Sequence, residues 1–203
     1  MDHIEKELEA GRAVILPTET VYGIFAKALN QEAVDYIYEL KRRPRDKALN
    51  LNVAGEEDIR LYSKNQPGYL SKLIDLFLPG PLTIILQAND KVPDWIHSGL
   101  DTVGFRIPAH PKTLELIRKY GPLVGPSANL SGHASGTKYQ AIVSEFDQVV
   151  PGIEDDEFLT GQDSTILDIS DSKARILRQG SITKADLLAQ VPELSFEEDE
   201  LPQ

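Results

Sequence analysis

The chain has 203 residues, with 21 Lys and Arg against 32 Asp and Glu, for a formal net charge of −11. That length suits one domain with a sizeable core, and 41% apolar with 26% charged residues is the balance of a folded globular protein. The absence of cysteine excludes disulfide scaffolds, thiolate catalysis and Cys-ligated zinc or iron–sulfur sites, and the acidic balance argues against a general nucleic-acid coat. No window approaches about 18 consecutive apolar residues, and the charged opening to Arg12 lacks an apolar signal stretch. Neither a membrane span nor a secretion signal is expected, and a cytoplasmic location is the default.

Hydrophobic periodicity predicts a series of alternating elements. Ile4 and Leu8 mark a short helix, and Ala13 to Leu16 a buried strand. Val34, Ile37 and Tyr38 sit at helical spacing, in a helix that should stop before Pro44. Leu49, Leu51 and Val53 alternate with Asn50 and Asn52 as a half-buried strand. Leu70, Leu73, Ile74 and Phe77 form an amphipathic helix ended by Pro79-Gly80-Pro81. Strands are expected over 82–87 and 102–107, with a helix around Leu114 and Ile117. Strands over 164–169 and 174–178 are joined by a polar turn, and Thr183-x-x-Asp186 resembles a capping box opening a last helix. The fold class is therefore α/β (α+β), on one large mixed sheet. The domain is expected to span residues 1–190. The tail over 191–203 carries five acids and no base and is expected to be disordered; without it the body has a charge of −6.

Four segments carry polar groups that could do chemistry. After the first strand, Thr18, Glu19, Thr20 and Gly23 either form a ligand rim or include the cap of a following helix. Residues 41–47 place five bases and one acid in seven positions of an acidic chain. They are either a solvated cationic helix end or a polyanion site stiffened by Pro44. On the strand over 102–107, Thr102, Gly104 and Arg106 share one face, where the guanidinium meets either a bound carboxylate or phosphate, or a structural acid. The loop 125–132, with Ser127 and Asn129, offers neutral hydrogen bonds or is an ordinary turn; its Asn129-Leu130-Ser131 glycosylation pattern is a false positive without a secretion signal. Phosphate-loop, dinucleotide, zinc-protease and nucleophile-elbow motifs are absent, and His3, His97, His110 and His133 lack metal-ligand spacing.

Together, Pro17 to Gly23, Lys41-x-Arg43-Pro44, Pro79-Gly80-Pro81-Leu82-Thr83, Arg106-Ile107-Pro108, Pro126-Ser127-Ala128-Asn129, Ser164-Thr165 and Leu177-Arg178-x-Gly180 resemble the YrdC/TsaC family of threonylcarbamoyl-AMP synthases. The resemblance runs from about Gly11 to Ile182. It implies a single YrdC-like domain, a twisted mixed sheet flanked by helices with a deep cationic cleft, in the stand-alone form. It also implies a reaction: L-threonine, bicarbonate or CO2, and ATP give threonylcarbamoyl-AMP and pyrophosphate. Threonylcarbamoyl-transferase machinery then modifies tRNA next to the anticodon.

By the same resemblance, Lys41 and Arg43 are catalytic, stabilising phosphate charge with Mg2+ carried on ATP. Arg43, Lys47, Thr102, Asn129, Thr137 and Arg178 are implied at the nucleotide, and Thr20, Asn52, Arg106, Ser127 and Ser164 at the threonine. No protein side chain is assigned to the metal and no general base is identified. Direct tRNA or RNA binding at the cationic cleft is a further expectation. The sequence departs from the commoner family pattern at Ala48 and at Gly161-Gln162-Asp163. Two rival readings are a non-catalytic RNA-binding module and an ATP site serving another amino or hydroxy acid.

Overall fold

A computed structural model describes residues 3–147 and 149–197. In chain order the elements are α1 (His3–Glu9), β1 (Val14–Leu16), β2 (Gly23–Lys27), α2 (Gln31–Lys41), β3 (Leu51–Asn52), α3 (Glu56–Tyr62), β4 (Ser63–Lys64), α4 (Leu70–Phe77), β5 (Leu82–Ala88), α5 (Asp94–His97), β6 (Thr102–Arg106), α6 (Pro111–Tyr120), β7 (Leu123–Val124), α7 (Tyr139–Glu145), β8 (Thr165–Asp168), β9 (Arg175–Arg178) and α8 (Lys184–Gln190). The strands form one sheet in the order β1-β2-β7-β3-β6-β5-β8-β9, with β4 pairing the far end of β5. The β3–β6 and β5–β8 pairs are parallel and the others antiparallel, giving the expected mixed sheet.

Strand alternation sorts the core onto the two faces of this sheet. Val14, Leu16, Phe25 and Leu123 pack with Ile4 and Leu8 of α1 and with Leu116 and Ile117 of α6. Ile15, Ile24, Ala26 and Val124 point the other way, into the larger core shared with α2 and α4. The β2 strand escaped the sequence reading because Gly23 looked like the close of a polar rim. In the structure Gly23 begins the strand, paired with Leu16. No helix follows Thr18 or Thr20, so neither hydroxyl is a helix cap. Thr18 Oγ1 instead donates to Val21 O at 2.7 Å and so closes a turn into β2.

Two predicted boundaries are confirmed by cap geometry. In α2, Asn30 accepts from Ala33 N at the start, and Arg42 ends the helix in the left-handed region at φ 49°. Thr183 and Asp186 form the reciprocal capping box of α8. The expectation of a solvated chain from residue 191 is corrected for 191–197. Val191 and Leu194 are buried in the main core. Phe196 bridges to Ala174, and Glu197 N donates to Ala174 O at 3.1 Å. The acids of this stretch face outward while its apolar residues cover the sheet edge at β9, a pattern that a charge count cannot resolve. The remaining tail positions, 198–203, lie outside the described residues. Among the described residues no helix is long and apolar enough to cross a membrane.

Candidate active site

Register brings the polar faces of the central strands together. Asn52 of β3 lies beside Arg106 of β6, and one residue pair earlier Leu51 lies beside Phe105. Because side chains alternate, Asn52 and Arg106 share a face while Leu51 and Phe105 go to the core. On that face the missing side chain of Gly104 matters: a Cβ there would lie 2.2 Å from Asn50 Oδ1 and 3.3 Å from Thr83 Cγ2. The resulting cleft has a volume of about 280 Å³. Its walls come from Thr18 and Val21 to Gly23, from Arg43 and Ala48 to Asn50, from Thr83, Asn52 and Arg106, from Gly125 to Ser127, and from Asp163, Ser164, Ile166 and Arg178.

Arg106 is held by the segment after β1. Its Nη2 donates to Glu19 Oε1 at 2.6 Å and to Thr20 Oγ1 at 2.7 Å, while Glu19 Oε2 accepts Ala109 N at 2.8 Å. The structural-acid reading of Arg106 is thus correct for one edge of the fork. Its Nε, also buried, has no partner. A buried guanidinium donor left unpaired costs about 1–3 kcal/mol unless a ligand or water satisfies it.

Arg43 reaches the cleft because Arg42 turns left-handed, which is costly for a residue other than glycine by roughly 1–2 kcal/mol. Its fork is fixed from behind, with Nε donating to Lys47 O at 3.2 Å and Nη2 to Ala48 O at 2.7 Å. Arg178 donates from Nε to Ser164 O at 2.9 Å and from Nη2 to Ser164 Oγ at 3.1 Å, and Ser164 Oγ shares a 2.9 Å bond with Thr83 Oγ1. Burial lowers the Arg178 pKa, the Asp163 carboxylate opposes that and the Arg106 charge adds to it.

Of the residues singled out in the sequence, the cleft gathers Arg43, Asn52, Arg106, Ser127, Ser164 and Arg178. Lys41 departs from expectation. Its side chain is on the buried face of α2 and only 1% exposed. Its ammonium donates to Ser127 O at 2.5 Å and to Asn129 O, and its own carbonyl accepts Ser131 N at 2.9 Å. Lys41 therefore clamps the 127–131 loop instead of lining the cleft. Burial pushes its pKa from 10.5 down to about 8, with the nearby Arg43 charge adding to the effect.

The other implied residues lie behind or beside the walls. Thr20 is buried behind Arg106. Thr102 pairs with Gln87 at the opposite end of β6. Asn129 is 6% exposed, donates to Leu130 O and His133 O, and leaves Oδ1 buried without a partner. Thr137 neighbours Gly161, and Lys47 is exposed on the turn after Arg43. None of these five, nor Lys41, is part of the lining.

Polar lining residues that went unassigned in the sequence include Thr83, Asn50 and Asp163. Thr83 is a lone hydroxyl in the otherwise apolar Leu82–Leu86 run, Asn50 shares the polar alternation of Asn52, and Asp163 directly precedes Ser164. Asn50 was legible from period-2 alternation, and Thr83 as the single polar position of its apolar run. Among the described residues no three His, Cys, Asp or Glu side chains gather as a metal site.

A model of the Sua5/YciO/YrdC family, described as telomere recombination, matches residues 6–180. The chain belongs to this family. The resemblance read in the sequence is therefore confirmed. Among the relatives of this Sua5/YciO/YrdC-family chain, the threonylcarbamoyl-AMP synthase of Bacillus subtilis is 40% identical over 185 residues, covering 90% of this chain and 54% of that protein. The chain spans about half the length of that relative and of its Pyrococcus abyssi counterpart. The threonylcarbamoyl-AMP synthase of Vibrio parahaemolyticus is 32% identical over 188 residues, covering 89% of this chain and 100% of that protein. The crystal structure of P. abyssi Sua5 complexed with L-threonine superposes with a TM-score of 0.88 at 35% identity, over 95% of this chain and 57% of that one.

Proposed function

We propose that this chain is an L-threonylcarbamoyladenylate synthase, making threonylcarbamoyl-AMP and pyrophosphate from L-threonine, bicarbonate or CO2, and ATP. The observation that carries this reading is the unpaired, buried Nε of Arg106 in a cleft that also holds Arg43 and Arg178. An amino-acid carboxylate satisfies the first, and a polyphosphate needs the other two. The L-threonine complex of P. abyssi Sua5 supports the choice of amino acid.

In this reading Arg106 binds the threonine carboxylate, with Ser127, Ser164, Thr83 and Asn52 supplying neutral hydrogen bonds. Thr20 acts behind Arg106 by fixing its fork. Arg43 and Arg178 stabilise charge on the phosphates as the carbamate oxygen attacks the α-phosphorus and pyrophosphate leaves. A cleft of about 280 Å³ has room for the amino acid and the phosphates, so the nucleoside extends over the mouth, toward Asn129, Thr137 and the exposed Lys47. Thr102, at the far end of β6, has no place in this arrangement. Mg2+ enters with ATP and supplies further charge neutralisation. Among the described residues the lining has no pair of carboxylates, which suits an ion held by phosphate oxygens and water. Threonylcarbamoyl-transferase machinery acting on tRNA is the consumer of the product, in the cytoplasm.

The test is pyrophosphate release from ATP, with and without L-threonine and bicarbonate, by the wild type and by Arg43→Ala. Release that needs both co-substrates, and that falls roughly 10²–10³-fold in the variant, is expected. ATP turnover indifferent to threonine would discard the amino acid. Salt-sensitive tRNA binding without any turnover would favour a non-catalytic RNA-binding module.

A further inference from the structure

Among the described residues the cleft lining carries three guanidiniums, those of Arg43, Arg106 and Arg178, and one carboxylate, that of Asp163. The nearby Glu19 is occupied on both oxygens, by Arg106 and by Ala109 N, and lies behind the wall. A carboxylate among binding guanidiniums is unfavourable for a ligand that is only anionic, because it repels the phosphates. An α-amino acid differs: beside its carboxylate it carries an amine, which needs an acceptor.

Asp163 is built to be that acceptor. Its backbone is fixed on both sides: Thr160 N and Gly161 N donate to Glu19 O and Thr20 O at 3.0 and 2.8 Å, and beyond it Thr165 N donates to Pro81 O at 3.0 Å. Its neighbour Ser164 is held by Arg178 and Thr83. Yet the carboxylate, whose charge also acts on Arg178, is only weakly hydrogen-bonded. Ser135 Oγ approaches both oxygens at 3.4 Å, well beyond the roughly 2.5–3.0 Å of a good O–H···O bond. A rigid backbone presenting an under-coordinated carboxylate to a cleft is a preorganised site for a strong donor.

We propose that Asp163 binds the amine of the amino-acid substrate opposite Arg106, and accepts its proton as the carbamate forms. This rests on the synthase reading above. In that step the lone pair of the neutral amine forms the N–C bond to CO2 and one C=O pair moves onto oxygen. The N–H proton passes to an Asp163 oxygen and from there to water. Positive charge builds on nitrogen during the attack, and a fixed carboxylate stabilises it.

The test is isothermal titration of the full chain, without nucleotide or metal, using L-threonine and the 2,3-dihydroxybutyrate in which a hydroxyl replaces the amine. Asp163→Asn should weaken threonine binding roughly ten- to a hundredfold and leave the dihydroxy acid within about twofold, while Asp163→Glu recovers part of the loss. Equal weakening of both ligands, or none for threonine, overturns the proposal. So does a Ser135→Ala variant that reproduces the loss, since Asp163 would then merely tie two loops together. Should Asp163→Asn not fold, Asp163→Ser, which removes the charge with a smaller side chain, is read by the same two ligands. Pyrophosphate release by the wild type is the parallel control. If it does not depend on threonine, the synthase reading falls; if it does and Asp163→Asn binds threonine normally, only the Asp163 role falls.

Discussion

Lys41→Met separates two roles for the one lysine that the fold hides. Keeping the ammonium charged at neutral pH, against a pKa pushed from 10.5 down to about 8, costs about 3 kcal/mol. Methionine removes that cost but strands the carbonyls of Ser127 and Asn129, at about 1–3 kcal/mol each. The balance is a small net loss, near 1 kcal/mol, or about 2–4 °C in Tm for a chain of this size. The cleft fares worse, because Gly125 to Ser127 forms one wall and Lys41 holds the loop that continues it. A wall displaced by about 1 Å lowers kcat/KM by roughly a hundredfold. Melting curves with steady-state pyrophosphate release, varying ATP and threonine separately, should show near-normal stability and defects toward both substrates. A rise in KM for ATP alone would refute the clamp and return the ammonium to the phosphates. Wild-type kinetics would refute it outright. The pH dependence supplies a second check. The folded pKa lies below the unfolded value, so between about 8 and 10.5 the unfolded chain binds more protons and stability rises with pH. Urea denaturation across that window should show this rise in the wild type and its loss in Lys41→Met.

Glu19→Gln removes the charge that anchors Arg106 while both side chains are only 14% and 13% exposed, so a loss of about 1.5–3 kcal/mol in urea denaturation and a raised KM for threonine are expected; unchanged threonine kinetics would show that the fork needs no anchor. Tyr22→Phe deletes a hydroxyl that donates to Asp156 at 2.9 Å and accepts Asp155 N at 2.8 Å, and should speed amide exchange across 155–161 with about 1–3 kcal/mol of local stability lost. Asp156 is held below its ordinary 3.8, first by the Tyr139 N–H and also by the Tyr22 hydroxyl. Its anchoring is therefore present above pH 3.8 and lost as the pH falls through the lower folded value, so amide exchange should show this segment loosening in acid in the wild type, while Asp156→Asn is loosened already at neutral pH and lacks that acid transition. Gly104→Ala should fold, since the amide end of exposed Asn50 can swing from the new methyl, but should raise the KM for threonine roughly tenfold by crowding the cleft; an unaltered KM would place the amino acid elsewhere.

Local rules carried the sequence reading a long way. Period-2 alternation put Asn52 and Arg106 on polar faces, and the Asn50 position was legible by the same rule. Turn and cap chemistry ended α2 before Pro44 and opened α8 at Thr183. These features depend on residues a few positions apart, which the chain itself fixes. Lys41 and Arg43 show the limit: two residues apart, both cationic, they are sent to different environments. The helix face buries the first, and the left-handed Arg42 swings the second to the cleft. The same limit hid the packing of Val191, Leu194 and Phe196 among acidic neighbours, and the meeting of Asp163 with residues far away in the chain. Sequence alone determined which residues are polar on which strand. Tertiary structure decided which of those share a cavity, because strand register and main-chain hydrogen bonds, acting across the fold, choose where each charge is spent.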